Sequence, residues 1–184
     1  MLRKIIVSFS FFLTMVCSAQ TQVVFPMLKV DAMLGSDIGV TANIKGAIDF
    51  AVNPHFRIGP GGGVGAMDFF ADLHGASGRQ LMQTYEAFAD VKWLKNPEEQ
   101  SSFLLGGQLG LMWDGKHSLT GNSGVLGYVG PTISLSPGMD IAKQGGSLQV
   151  TCELRWQQIK RSALYGPLNE FFVGIGLAYQ WGKR

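Results

Sequence analysis

His55, His74 and His117 are the side chains of this sequence best suited to moving protons near neutral pH. His74 precedes Ser77 by three residues and His117 directly precedes Ser118. A serine nucleophile needs a base within hydrogen-bond reach and a third group that orients the base. Neither pair comes with such a third group, and both fall in long connections between apolar segments. They read as solvated loop residues, and no catalytic residue is expected. The histidines are far apart and Cys152 sits on an apolar face, so no metal-ligand cluster is expected either. Gly61-Gly62-Gly63-Val64-Gly65 lacks the spacing of a phosphate-cradling loop and no helix follows it. No cofactor is expected, and a net charge of +2 is no footprint for nucleic acid.

The charged residues carry more information, because they share a phase. Lys29, Asp31, Lys45, Asp49, Arg57, Glu86, Asp90, Lys92, Asp140, Glu153 and Arg155 alternate with apolar neighbours. Alternation with a period of two marks strands with unlike faces. The clearest is the last: Phe171, Val173, Ile175, Leu177, Tyr179 and Trp181 share one face, and Phe172, Gly174, Gly176, Ala178 and Gln180 the other. Seven earlier segments behave alike: 28–34, 42–52, 56–66, 81–93, 103–113, 128–141 and 148–157. Connections at 53–55, 94–101 and 142–147 are the shorter set, and 67–80 and 114–127 the longest. Short and long connections at opposite ends predict an antiparallel up-and-down barrel of eight strands. Pro60 and Pro137, each followed by glycine, predict bulges; Pro131 has no evident reason to lie in a strand.

Volume decides which face points out. An eight-stranded barrel is only just wide enough inside to be filled by side chains. The bulky apolar face cannot fit there, whereas the glycine, serine, threonine and alanine of the other face can. The apolar face therefore needs lipid, and aromatic residues gather towards strand ends as membrane interfaces require. The in-phase charges then point inward. Five cations against six carboxylates, in a narrow interior, are tolerable only when paired. They predict a salt-bridged network that plugs the lumen, since an ion path would carry one sign in excess.

Residues 1–19 read as a cleaved signal peptide: Arg3 and Lys4, an apolar run from Ile5 to Val16, then Cys17-Ser18-Ala19 before Gln20. Acylation of Cys17 is the alternative, disfavoured by bulky Val16. Residues 20–184 form the barrel domain, with 13 basic and 13 acidic residues once Arg3 and Lys4 are gone. Only Cys152 remains, so no intrachain disulfide is available there.

The signal, the alternating strands, and the turn Asn53-Pro54-His55 leading into Phe56-Arg57-Ile58-Gly59-Pro60-Gly61-Gly62-Gly63-Val64-Gly65 form one pattern. With the ending Phe171 to Trp181, it resembles small outer-membrane β-barrel proteins of the OmpA/OmpX type. The resemblance covers nearly all of the chain after the signal. It implies an all-β, transmembrane, eight-stranded barrel in the outer membrane of a diderm bacterium. It also implies outer-membrane lipid and the barrel-assembly machinery as partners, and a structural or surface-interaction role; a surface ligand is not legible. Members usually end on an aromatic residue, whereas here Gly182-Lys183-Arg184 follow Trp181. Some outer-membrane barrels modify lipid A through His and Ser, so the first competing function is a lipid-modifying enzyme with a loop His/Ser site. His117-Ser118 does not match the His-x-Ser spacing of the deacylases. A narrow ion channel is the second competing function, and a soluble, secreted lipocalin-like binder the third.

Overall fold

The computed structural model describes residues 24–36, 39–73, 76–118, 129–159 and 168–182. The segment read as a signal peptide lies outside them. Eight strands follow in chain order: β1 (Val24–Gly35), β2 (Val40–Ala51), β3 (Phe56–Leu73), β4 (Ala76–Leu94), β5 (Ser101–Ser118), β6 (Val129–Lys143), β7 (Gly146–Ile159) and β8 (Leu168–Trp181). Each pairs antiparallel with the next, and β8 pairs with β1, closing the barrel. Closure leaves no unpaired edge, the condition for strands to cross a membrane.

The two faces separate as the alternation requires. Ile175, Leu34 and Leu109 on the outside are 70%, 64% and 63% exposed, whereas inward Lys45 and Asp49 are 0% exposed. The lipocalin-like reading, with its apolar face inside, is thereby overturned. Aromatic residues face outward near both ends. Phe56 pairs across strands with Trp93 at the short-turn end, and Tyr85 with Trp113 and Trp156 with Phe171 at the other.

Three expectations need correction. The stretch 67–80 is not a loop: β3 and β4 stay paired through Phe69–Gln80 and on to Leu73–Ala76. Likewise β5 continues to Ser118, into the segment read as a connection from Asp114. Beyond the apolar belt outward side chains need not be apolar, so alternation fades while backbone pairing persists. Nor do Pro60 and Pro137 mark bulges. The register on both sides of each is unchanged; the pairing with one neighbour is simply interrupted. It skips Ile48 and Asp49 against Gly59 and Pro60, and Ser136 and Pro137 against Cys152 and Glu153. Pro131 sits just before the first β6–β7 pair, Thr132 with Gln157. Proline lacks the donor a ladder needs, and each of the three stands where one ladder is open.

The interior is also less uniformly small than volume alone suggested. Phe25, Met27, Met33, Met67, Phe88, Leu94, Leu104, Met112 and Phe172 are buried inside. Glycines on neighbouring strands make the space. A Cβ at Gly61 would collide with the Phe88 ring, and one at Gly110 would fall 2.8 Å from Phe88 Cβ.

Candidate functional site

The lumen gathers the charged residues that the alternation placed inward. Lys29, Asp31, Lys45, Asp49, Arg57, Glu86, Asp90, Lys92, Asp140, Glu153 and Arg155 are all buried there. Glu170 joins them, making five cations and seven carboxylates. It shares the phase of Phe172 on β8, but the apolar alternation starts only at Phe171, so the sequence pattern did not reveal it. Ser36 Oγ donates to Glu170 Oε1 at 3.2 Å.

Three clusters form. Towards the long-connection end, Lys45 Nζ lies 3.0 Å from Asp31 Oδ2 and 3.4 Å from Glu86 Oε2. Arg155 Nη2 approaches the same Glu86 oxygen at 3.2 Å, and Asn43 Nδ2 donates to Asp31 at 2.6 Å. In the middle, Lys29 Nζ is 2.7 Å from Glu153 Oε1, and Ser136 Oγ donates to Glu153 Oε2 at 2.8 Å. Thr151 Oγ1 also donates to Glu153. Towards the short-turn end, Lys92 Nζ lies 2.6 Å from Asp49 Oδ2 and 3.1 Å from Asp90 Oδ2. Gln180 donates to Asp49 at 2.6 Å and accepts from Arg57 Nη1 at 2.6 Å. The Arg57 guanidinium stacks 3.8 Å above the Phe25 ring centroid, a cation–π contact. Asp140 is buried at the same end of β6.

Gln108 joins two of the clusters. Its Oε1 accepts from Lys45 at 3.1 Å and its Nε2 donates to Asp90 at 2.9 Å. A hydrogen-bonded chain therefore runs from Asp49 through Lys92, Asp90, Gln108 and Lys45 to Glu86. The glutamines were on the inward face of the sequence pattern, but being uncharged they gave no signal of a bridging role.

Glycines seat the ion pairs. A Cβ at Gly63 would lie 2.9 Å from Lys45 Cγ, and one at Gly65 would collide with Asn43 Oδ1. The run Gly61-Gly62-Gly63-Val64-Gly65 thus leaves the inner side of β3 bare so that neighbouring strands can fill the lumen. An internal cavity of about 10 Å³ remains among Lys29, Asp90, Lys92, Gln108, Ser136 and Thr151, room for about one water.

Of the histidines, His55 lies in the β2–β3 turn, where its Nδ1 is 2.9 Å from the Leu94 carbonyl oxygen. His74 lies outside the described residues. Ser77, His117 and Ser118 lie on strands, in stretches where only the backbone course is described. No group of three or more His, Cys, Asp or Glu among the described residues could hold a metal ion. Cys152 faces outward.

No protein-family model and no curated protein matches the chain. Solved structures do. Neisserial surface protein A (NspA) aligns at 12% identity over 85% of this chain and 96% of its own, with a TM-score of 0.53. The N-terminal β-barrel domain of Pseudomonas aeruginosa OprF aligns at 10% identity over 88% and 100%, with a TM-score of 0.48. Ail, the attachment invasion locus protein of Yersinia pestis, solved with sucrose octasulfate, aligns at 11% identity over 87% and 98%, with a TM-score of 0.42. The likeness to NspA is one of fold: this chain has the closed, eight-stranded, OmpA/OmpX-type barrel.

Proposed function

We propose that this protein is an integral outer-membrane barrel with a plugged, salt-bridged lumen, and that its role is structural or in surface interaction. The observation that carries the reading is the division of the chain's surface. Apolar residues face outward around the whole barrel, while the inward cations stand within ion-pair or hydrogen-bond reach of lumen partners. A barrel with that exterior needs lipid, and a lumen so occupied offers no path of the width a solute needs. The name of NspA describes a surface protein, which fits the same setting. On this reading the chain is exported through residues 1–19, assembled by the barrel-assembly machinery and surrounded by outer-membrane lipid.

The test is refolding of residues 20–184 in detergent and in plain buffer, with unheated and boiled samples compared on a denaturing gel. A heat-dependent mobility shift and β-type circular dichroism only in detergent are expected. Folding in buffer alone would overturn the membrane assignment. Catalysis is no part of the reading: lipid A profiles of cells carrying His117→Ala or Ser118→Ala are expected to match those of the parent. A profile altered by either substitution would replace the structural role with an enzymatic one.

A further inference from the structure

We propose that the seal of this barrel is a pair of apolar layers, one at each end of the lumen, and that the ion-pair network stands in a hydrated chamber between them. The inference rests on the closed-lumen reading above and names the residues that do the closing.

Met33, Met67, Met112 and Phe172 are apolar inward side chains towards the long-connection ends of β1, β3, β5 and β8, with Glu170 one inward position beyond Phe172, and none of the four is more than 2% exposed. Met33 pairs with Thr41, and Thr41 with Met67, so two methionines flank the Thr41 side chain across three adjacent strands. Met33 also leans over β8, where a Cβ at Gly174 would lie 2.6 Å from its Cγ. At the short-turn end Phe25, Leu94 and Leu104 play the same part, and Leu94 and Leu104 are each 1% exposed.

Between the layers the ion pairs share the lumen with Met27 and Phe88, whose ring centroid lies 5.7 Å from Lys45 Nζ. Arg155 Nε and Nη1, Ser134 Oγ and Asp49 Oδ1 are buried without a hydrogen-bond partner among the described residues. Buried polar atoms without a protein partner are held by ordered water, and the water-sized cavity beside Lys29 and Asp90 lies in the same space. Charged and hydrogen-bonding walls favour water, so the network by itself is a weak barrier. An apolar constriction breaks a file of water and forces an ion to shed its hydration.

The test places one reporter thiol in the chamber, Ser134→Cys, in a Cys152→Ser background of the membrane-extracted protein in detergent. The probe is a small cationic methanethiosulfonate, and the heat-dependent gel shift reports folding. In the otherwise unaltered barrel the thiol is expected to stay unreactive. Trimming one layer (Met33→Ala with Met67→Ala, or Leu94→Ala with Leu104→Ala) is expected to raise the labelling rate at least about tenfold, as wetting of a constriction should. Lys45→Met with Glu86→Gln, which leaves both layers whole, is expected to leave the rate near that of the parent. If an alanine pair gives no folded band, Met33→Gln with Met67→Gln wets the outer layer at nearly constant volume. Folded trimmed variants that stay unreactive, or a neutralised network that labels as fast as they do, would overturn the proposal. A parent barrel that labels rapidly and conducts in planar bilayers would overturn the closed-lumen reading beneath it.

Discussion

Gly176 pairs with Thr151 across β7 and β8, and the Glu153 carboxylate, one inward position along β7, leans over it with no room for another atom. A Cβ at Gly176 would lie 2.6 Å from Glu153 Oε1 and 2.9 Å from Lys29 Cε. The ion pair of the middle cluster occupies the volume that any other residue at 176 would claim. Gly176→Ala is therefore expected to destabilise the barrel by about 1–3 kcal/mol, the usual cost of overpacking. Outward Gly46, whose added Cβ would meet only a carbonyl oxygen at 3.7 Å, is the control. Urea unfolding of the two variants in lipid vesicles, followed by tryptophan fluorescence, separates them, and equal midpoints would mean that the pair moves aside freely.

Lys92 holds two carboxylates at once, Asp49 and Asp90. Removing it leaves both negative charges facing each other in a buried space. Lys92→Met is expected to cost about 3–5 kcal/mol, as breaking a buried ion pair does. Adding Asp90→Asn to Lys92→Met should recover part of that loss, because one of the abandoned charges goes with it. Unfolding midpoints of the single and double variants measure the coupling; strict additivity would show that the two groups do not interact.

Ile175 lies near the middle of β8 and is the most exposed large apolar residue among the described residues. If lipid surrounds it, Ile175→Lys should cost about 2–4 kcal/mol in a bilayer, the penalty for a cation near the midplane. Unfolding from vesicles measures this directly. A cost near zero would mean that this face meets water.

Ile133 pairs with Leu109 on one side and Trp156 on the other, whereas neighbouring Pro131 has no partner in β7. Pro131→Ala is accordingly expected to shift stability by no more than about 0.5 kcal/mol, like other substitutions that disturb no packed or bonded group. Ile133→Pro, which takes a donor from a closed ladder, should abolish the heat-modifiable band. If both variants behave alike, the open ladder beside Pro131 is not what accommodates it.

Much of this molecule was legible in its residues, because a strand's period of two ties hydropathy directly to direction. From Lys29 and Asp31 on β1 to Glu153 and Arg155 on β7, one parity rule sent every in-phase charge to the same side. The volume of an eight-stranded barrel then told which side was inside. The same rule would have included Glu170, had the strand been read one residue earlier. Where the rule weakened, at 67–80 and 114–118, the strands had passed beyond the apolar belt and hydropathy no longer constrained them. Pro60, Pro131 and Pro137 needed the pairing itself, since no local pattern tells which ladder is open.

What the chain alone determined, then, was the class of fold and the direction of the side chains within the apolar belt. Partnership was decided only by closure. Lys29 reaches Glu153 and Gln180 reaches Asp49 because the barrel brings β1 beside β8 and sets a particular stagger between strands. Those pairs lie far apart in sequence, and a shift of stagger would leave every residue facing the same way with different neighbours. Most of the large apolar side chains inside the lumen were hidden for a related reason. Their room comes from glycines on other strands, so whether Met33 or Phe88 fits inside is a property of the assembled wall and not of its own strand.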